Sequence, residues 1–249
     1  MNDNFDVSKA VYKTELHLHT AEMSRCATHT AEQVVEKYIA AGYSTIVVTN
    51  HFKSNNQRSD DWREWVDMFF DATDLVRKAA GDRLYVLDGA EVELNGGINE
   101  YLLYGASREK FYDIPDMFDL SYRDLFTKAK ERGMLMVQAH PFRYGIKVVD
   151  PGWLRGIEVF NGEPGDDSHN PIAMAWLKSF QDRKDLFPTS GSDCHWVDQQ
   201  PNAGILTQRA ITSNEDLIST FLARDYALIS DCFDPREGMG GVRIDDPFA

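Results

Sequence analysis

His17 and His19 stand one residue apart in TELHLHT (14–20), and Asp193 and His195 repeat that spacing in GSDCH (191–195). In an extended chain, positions i and i+2 share a face about 6.6 Å apart, so each pair can converge on one point. Imidazole nitrogen with carboxylate oxygen suits zinc, iron or manganese. A lone H-x-H is equally well explained as two core histidines satisfied by hydrogen bonds, so the rest of the chain must decide. His51 follows TIVVTN, Glu91 follows YVLDGA and His140 follows LMVQA. Acids and imidazoles just beyond apolar runs are costly to bury unless paired or metal-bound. Together His17, His19, His51, Glu91, His140, Asp193 and His195 are too many for one tetrahedral ion. They suit two or three divalent ions, with Glu91 as the natural bridge. Two ions about 3.5–4 Å apart can activate a water and steady the attacking and leaving oxygens of phosphoryl hydrolysis.

The segments that must hold these residues alternate in type. STIVVT (44–49), RLYVLDG (83–89), NEYLLYG (99–105), MLMVQAH (134–140), RGIEVF (155–160) and LFPTSG (186–191) read as short apolar strands. Residues 14–19, GILT (204–207) and YALIS (226–230) join them. Between the strands lie helical patterns. Thr30 with Gln33 forms a capping box ahead of AEQVVEKYIAAG. Trp62, Trp65, Phe69, Ala72 and Val76 make a broad apolar stripe, which reads as core packing. Ser121 and Ser213 can cap YRDLFTKAKERG and NEDLISTFLARD, and PIAMAWLKSFQDRK (171–184) predicts a further helix. This alternation predicts an α/β fold with a mainly parallel sheet and crossover helices. In such folds function gathers at the carboxyl ends of the strands, where the candidate ligands fall. No repeat or long linker divides the chain, so a single domain over 1–249 is expected. The polar stretch KSNNQRSD (53–60) is placed to serve as a lid.

Composition sets outer limits. The 249 residues carry a formal net charge of −14, which repels long polyanions and argues against a nucleic-acid partner. A small phosphorylated substrate is not excluded, because metal ions and a few arginines can dominate the local field. No apolar run is long enough to cross a bilayer, and MNDNFDVSKA has no signal-peptide character, so a soluble cytoplasmic protein is expected. Cys26, Cys194 and Cys232 show no C-x-x-C pair and read as reduced thiols. No motif sets the oligomeric state.

These residues are the ones by which the chain resembles the PHP family, named for polymerases and histidinol phosphatase. ELHLHT, VVTNHF, DGAEVEL, QAHPFR and GSDCH resemble its five motifs in order, and GIEVFNG a stretch between the last two. The resemblance implies a distorted (β/α)7 TIM-like barrel with a di- or trinuclear metal site at the C-terminal rim of the strands. It assigns His17, His19, Glu91 and Asp193 to one ion, Glu91 and His140 to a second, and His51 and His195 to a third. Three departures stand out. Cys26 in SRC replaces a family histidine, with His29 nearby as a fallback. The histidine the family carries after its fourth strand is missing from YGASRE. Asn50 replaces the acid before the second-motif histidine, which alters the support of His51.

Arg143, in HPFR, suits phosphate through its planar fork; the alternative is a surface arginine paired with an acid. The resemblance favours the phosphate role. Arg25 is a second phosphate candidate, Cys194 should face away from the ligands and pack, and His169 reads as a polar loop histidine. The expected activity is hydrolysis of a small phosphomonoester, with Arg143 and His195 as catalytic groups. Rival readings are a nuclease or nucleotide-bisphosphate phosphatase, an amidohydrolase-type enzyme cleaving C–N or C–O bonds, and a non-catalytic metal-binding protein of the same fold. The amidohydrolases commonly bridge their metals through a modified lysine, whereas the bridging candidate here is Glu91.

Overall fold

The computed structural model describes residues 5–165, 168–180, 182–230 and 244–245. Along the chain run β1 (Tyr12–Glu15), α1 (Ala31–Ala40), β2 (Tyr43–Val48), β3 (His51–Phe52), α2 (Trp62–Ala80), β4 (Tyr85–Glu93) and β5 (Glu100–Tyr104). There follow α3 (Arg108–Tyr112), α4 (Tyr122–Glu131), β6 (Leu135–Gln138), β7 (Gly156–Asn161), α5 (Asn170–Lys178) and β8 (Phe187–Gly191). The chain continues through β9 (Gly204–Thr207), α6 (Asn214–Ala223), β10 (Ala227–Ile229) and β11 (Ile244–Asp245). Local chemistry sets the helix starts. Thr30 and Gln33 form the expected reciprocal capping box, and Asp61, Ser121 and Ser213 each accept a backbone N–H of the first turn. The helix expected over 171–184 occupies only Asn170–Lys178, with a proline in its first turn. Cys232, expected to pack as a thiol, lies outside the described residues.

Seven strands, β1-β2-β4-β5-β6-β7-β8, form a curved, nearly closed sheet. The circuit comes round again where Leu18 bridges Cys194 in parallel, just past the ends of β1 and β8. At Gly191 a Cβ would lie 2.3 Å from the His17 Cβ, so only glycine permits this approach. Lower down, β9 pairs antiparallel with β1 and β10 with β9. This wedge holds the β1–β8 seam apart, and the Tyr226 hydroxyl donates to the Pro188 carbonyl across it (2.7 Å). The barrel is therefore distorted, as expected.

Within this seven-strand circuit one strand runs against expectation. β1, β2 and β4 are mutually parallel, as are β6, β7 and β8, but β5 is antiparallel to both its neighbours. The β4–β5 connection, residues 94–99, is too short for a parallel crossover, which needs about a dozen residues. YGASRE therefore leaves β5 at the end of the barrel away from the ligands. Asn214 there donates its amide to the Ala106 carbonyl (3.1 Å). The residue β5 brings to the ligand rim is its first, Glu100.

Candidate metal centre

Glu15, the last residue of β1, is fully buried. The N–H groups of Leu16, His17 and Ser192 all donate to its Oε1 at 2.9 Å, and the Tyr38 hydroxyl donates to Oε2 at 3.0 Å. One carboxylate thus staples the exits of β1 and β8 and sets the direction in which both H-x-H and D-x-H leave the barrel. In β7, Glu158 performs a similar service. Its Oε1 lies 2.9 Å from His17 Nδ1, while Oε2 accepts the His140 N–H (2.8 Å) and the Asn161 amide (3.0 Å). A carboxylate at Nδ1 requires the proton there, so His17 turns its Nε2 lone pair into the cup. His19 is set by a hydroxyl. Ser24 Oγ donates to Asn50 Oδ1 (2.9 Å), accepts the His51 N–H (3.0 Å) and faces His19 Nδ1 at 3.1 Å. Asn50 therefore still organises the second-motif turn.

The donors converge on Glu91. Its Oε1 lies 3.2 Å from His17 Nε2 and 3.1 Å from His140 Nε2, and its Oε2 lies 2.8 Å from His51 Nδ1 and 3.4 Å from His19 Nε2. Asp193 Oδ1 faces His17 Nε2 (3.3 Å), His19 Nε2 (3.1 Å) and His195 Nδ1 (3.5 Å). Its other oxygen accepts from Asn161 and Arg143, both at 3.0 Å. The rings of His51 and His195 flank that of His19, with centroids 4.3 and 4.2 Å away. All seven candidates are buried, none more than 7% exposed. His140 and Asp193 reach the cup with φ of 26° and 47°, conformations that L-residues hold only where surrounding structure enforces them.

His17 Nε2, His51 Nδ1 and Glu91 Oε2 are buried without an aligned hydrogen-bond partner despite these short separations. Such orphaned groups cost about 1–3 kcal/mol each, and here the two imidazole nitrogens face the two oxygens of Glu91. Divalent cations held between these groups would satisfy them, so the residues fit the group that the motifs imply. Among the described residues, donor atoms lie within 4.8 Å of one another in four sets: His19–His51–His195, His17–His19–Glu91, His51–Glu91–Glu100 and Glu163–Asp193–His195.

The electrostatics carry the same demand for positive charge. Burial opposes protonation of His51, but Glu91 outweighs it and lifts the imidazole to about 10. At His195 burial is likewise overcome, by the Cys26 thiol and Asp193, to about 9. His19, buried between His195 and His51, is held well below the usual imidazole range. Burial pushes the Cys26 thiol up, yet hydrogen bonds to His195 and His51 bring it down to about 6.

Arg143 is at the edge of the cup, where one Nη2 meets Asp193 Oδ2, Asn161 Oδ1 and Glu163 Oε2 at 3.0 Å each. Cys26 is exposed beside the His51–His195 side and belongs to no metal-capable donor set among the described residues, and the fallback His29 does not face the cup: Nε2 lies 2.6 Å from the His19 carbonyl and Nδ1 3.0 Å from Lys37 Nζ. Cys194 is buried in the packing behind the strands, and Arg25 is exposed. His169 stands at the N-cap position of α5 without a side-chain capping bond, and its Nδ1 lies 3.0 Å from the Phe142 carbonyl. Sequence reading missed Glu15, Glu100, Glu158 and Glu163. An acid inside the apolar run RGIEVF was the available signal for Glu158, and the polarity of β5 was the one for Glu100.

Residues 15–195 match the family model described as the PHP domain. No curated protein matches the chain. Among solved structures, a two-domain protein from Bacteroides vulgatus containing a predicted PHP-like metal-dependent phosphoesterase aligns with a TM-score of 0.64 and 18% identity, over 93% of this chain and 68% of that one. PsfC from Pseudomonas syringae aligns with a TM-score of 0.64 and 15% identity, over 90% of this chain and 93% of that one. An amidohydrolase from Chromobacterium violaceum, with bound sulfate and no metal, gives 0.51 and 15% over 76% and 89%. At these identities the likeness is one of fold.

Proposed function

The chain belongs to the PHP domain family, and on that premise we propose that it is a metal-dependent phosphoesterase acting on a small phosphomonoester. The observation that carries this reading is the meeting of four imidazoles on the two oxygens of Glu91, with Asp193 closing the cup. His17, His19, Glu91 and Asp193 would hold one ion, Glu91 and His140 a second, and His51 and His195 a third. Zinc, iron and manganese all suit these donors. Such ions supply Lewis-acid stabilisation of phosphoryl oxygens and acidify a water for in-line attack.

The chain's own groups have separable tasks. Glu158 holds the His17 ring so that Nε2 faces inward. Arg143 can exchange one of its carboxylate contacts for a phosphate oxygen, fixing the substrate and countering charge on the equatorial oxygens. His195 Nδ1 lies 2.9 Å from the Asp193 carbonyl, so its proton belongs there. Only Nε2 remains, which either ligates an ion or, when protonated, gives a proton to the departing alkoxide. The two roles exclude one another at any instant.

A single domain over 1–249, a small phosphorylated substrate and a cytoplasmic setting belong to the same reading. No helix among the described residues is long and apolar enough to cross a membrane. Support also comes from the phosphoesterase named in the Bacteroides vulgatus neighbour and from the sulfate, a tetrahedral dianion like phosphate, bound by the Chromobacterium violaceum one. The test is a screen of phosphorylated metabolites with zinc-, manganese- or iron-loaded protein. Turnover of at least one phosphomonoester, lost in Asp193→Asn, is expected. Full metal occupancy with no turnover of any phosphate ester would overturn the proposal.

A further inference from the structure

Glu100 lies outside every motif that marked the candidate ligands, yet its carboxylate reaches into the cup. Oε1 is 3.4 Å from His51 Nδ1 and Oε2 is 3.4 Å from His140 Nε2. Its side chain is 14% exposed, so it stands at the mouth with its oxygens directed inward. The antiparallel turn into β5 explains the placement. Glu93 pairs with Glu100 and Glu91 with Leu102 in the β4–β5 ladder, and directly paired residues share a face. Glu91 and Glu100 therefore approach His51 and His140 from adjacent strands. Lys53 is the nearest cation, but its Nζ is nearer to Glu93 (3.3 Å) than to Glu100 (3.7 Å) and is outside the two-carboxylate, two-imidazole cluster.

We infer that Glu100 is a metal ligand, completing the Glu91–His140 subsite, whose two carboxylates make it more oxygen-rich than the His19–His51–His195 side of the cup. The inference rests on the proposed metal-dependent function and specifies one of its sites. Oxygen donors favour manganese-type ions relative to zinc, whereas imidazole clusters suit zinc, so the two sides of the cup differ in metal preference. Glu100 is a ligand through its charge and not merely a partner for Lys53.

The test strips the full-length protein of metal and reloads it with Mn(II) or Zn(II). Ions retained after gel filtration are counted by elemental analysis, and each affinity is measured by calorimetry. Glu100→Gln and Glu100→Ala should retain one Mn(II) equivalent fewer than the unaltered chain, or bind it at least about tenfold more weakly. Lys53→Met should load fully. Glu100→His, which restores a donor of the imidazole type, should recover the equivalent while lowering the ratio of Mn(II) to Zn(II) affinity at that site about tenfold. Circular dichroism confirms that each variant is folded, and Glu100→His keeps the test decisive if removal of the side chain disturbs the rim. Equal loading of all variants, or loss of the same equivalent in Lys53→Met, overturns the inference alone. Failure of the unaltered chain to take up any ion overturns the metal-dependent function with it.

Discussion

His51 and Phe52 are consecutive residues of β3, and they belong to two regions built on opposite principles. His51 enters a cup where buried polar atoms are left unmatched and two ligand-bearing turns are held at positive φ. Phe52 enters an aromatic cluster in which its ring lies 5.4 Å from Trp65, 4.8 Å from Phe69, 5.0 Å from Phe111 and 5.1 Å from Phe118, centroid to centroid. There Trp62 Nε1 donates to the Phe111 carbonyl at 2.8 Å, and a single indole N–H of the cluster, that of Trp65, is buried without a partner. The cup concentrates cost, and the cluster concentrates favourable burial. Strand alternation lets one dipeptide serve both. Changes in the cup should therefore damage chemistry more than stability, and changes in the cluster the reverse.

The largest expected effect tests the cup. Glu91→Gln removes the charge on which four imidazoles converge. Its kcat on the identified phosphomonoester should fall at least about a thousandfold, roughly 4 kcal/mol of barrier. In the metal-free protein, the denaturation midpoint of this variant should fall by less than that of any cluster truncation. A large loss of apo stability with retained turnover would erase the contrast. The reciprocal change is Phe69→Ala, at a ring fully enclosed by Phe52, Trp65, Phe70 and Phe111. Urea unfolding should show about 3 kcal/mol lost, while the folded fraction binds metal as before.

Metal itself should couple the two regions. A divalent ion that binds only the folded cup adds about 2.7 kcal/mol at a free concentration one hundred times its dissociation constant. Chelation should lower the thermal midpoint of the unaltered protein and leave that of Asp193→Asn nearly unmoved, as calorimetry would report. An equal response in both would place the stabilising ion elsewhere. Glu158→Gln refines this further. Gln keeps the shape but can present an amide N–H to His17 Nδ1, so the imidazole loses its enforced tautomer. Metal affinity should fall about tenfold with the ligand set intact, as changes to a ligand's supporting carboxylate do.

The same contrast explains what the sequence disclosed. His17, His19, Asp193 and His195 were visible because two-residue spacing with unusual residue types survives any detail of the fold. His51, Glu91 and His140 were visible because each ends an apolar run. Glu158 and Glu15 were not singled out, because an acid within a strand has the pattern of an outward-facing residue until the tertiary contacts turn it inward. Glu100 was hidden by strand direction: read as parallel, β5 sends YGASRE to the rim, whereas the short 94–99 connection reverses it. The aromatic stripe of α2 was plain from its helical period, but its meeting with Phe52, Phe111 and Phe118 is a long-range fact that no local pattern contains.

The smallest effect asks whether the supporting region can be weakened without touching the cup. Asp61 caps α2, its Oδ1 accepting the Glu64 N–H at 2.9 Å. The helix carries Trp65, Phe69, Phe70 and Val76 into the core, so its first turn matters to the cluster. None of the four metal-capable sets includes a residue of that turn. Asp61→Ala leaves an N–H of the first turn to water and should reduce stability by about 1 kcal/mol in urea unfolding. Metal stoichiometry and kcat should be unchanged at temperatures where the variant is folded. A parallel loss of metal would mean that α2 transmits its strain through Phe52 to His51, and that the two sides of β3 are less independent than their packing indicates.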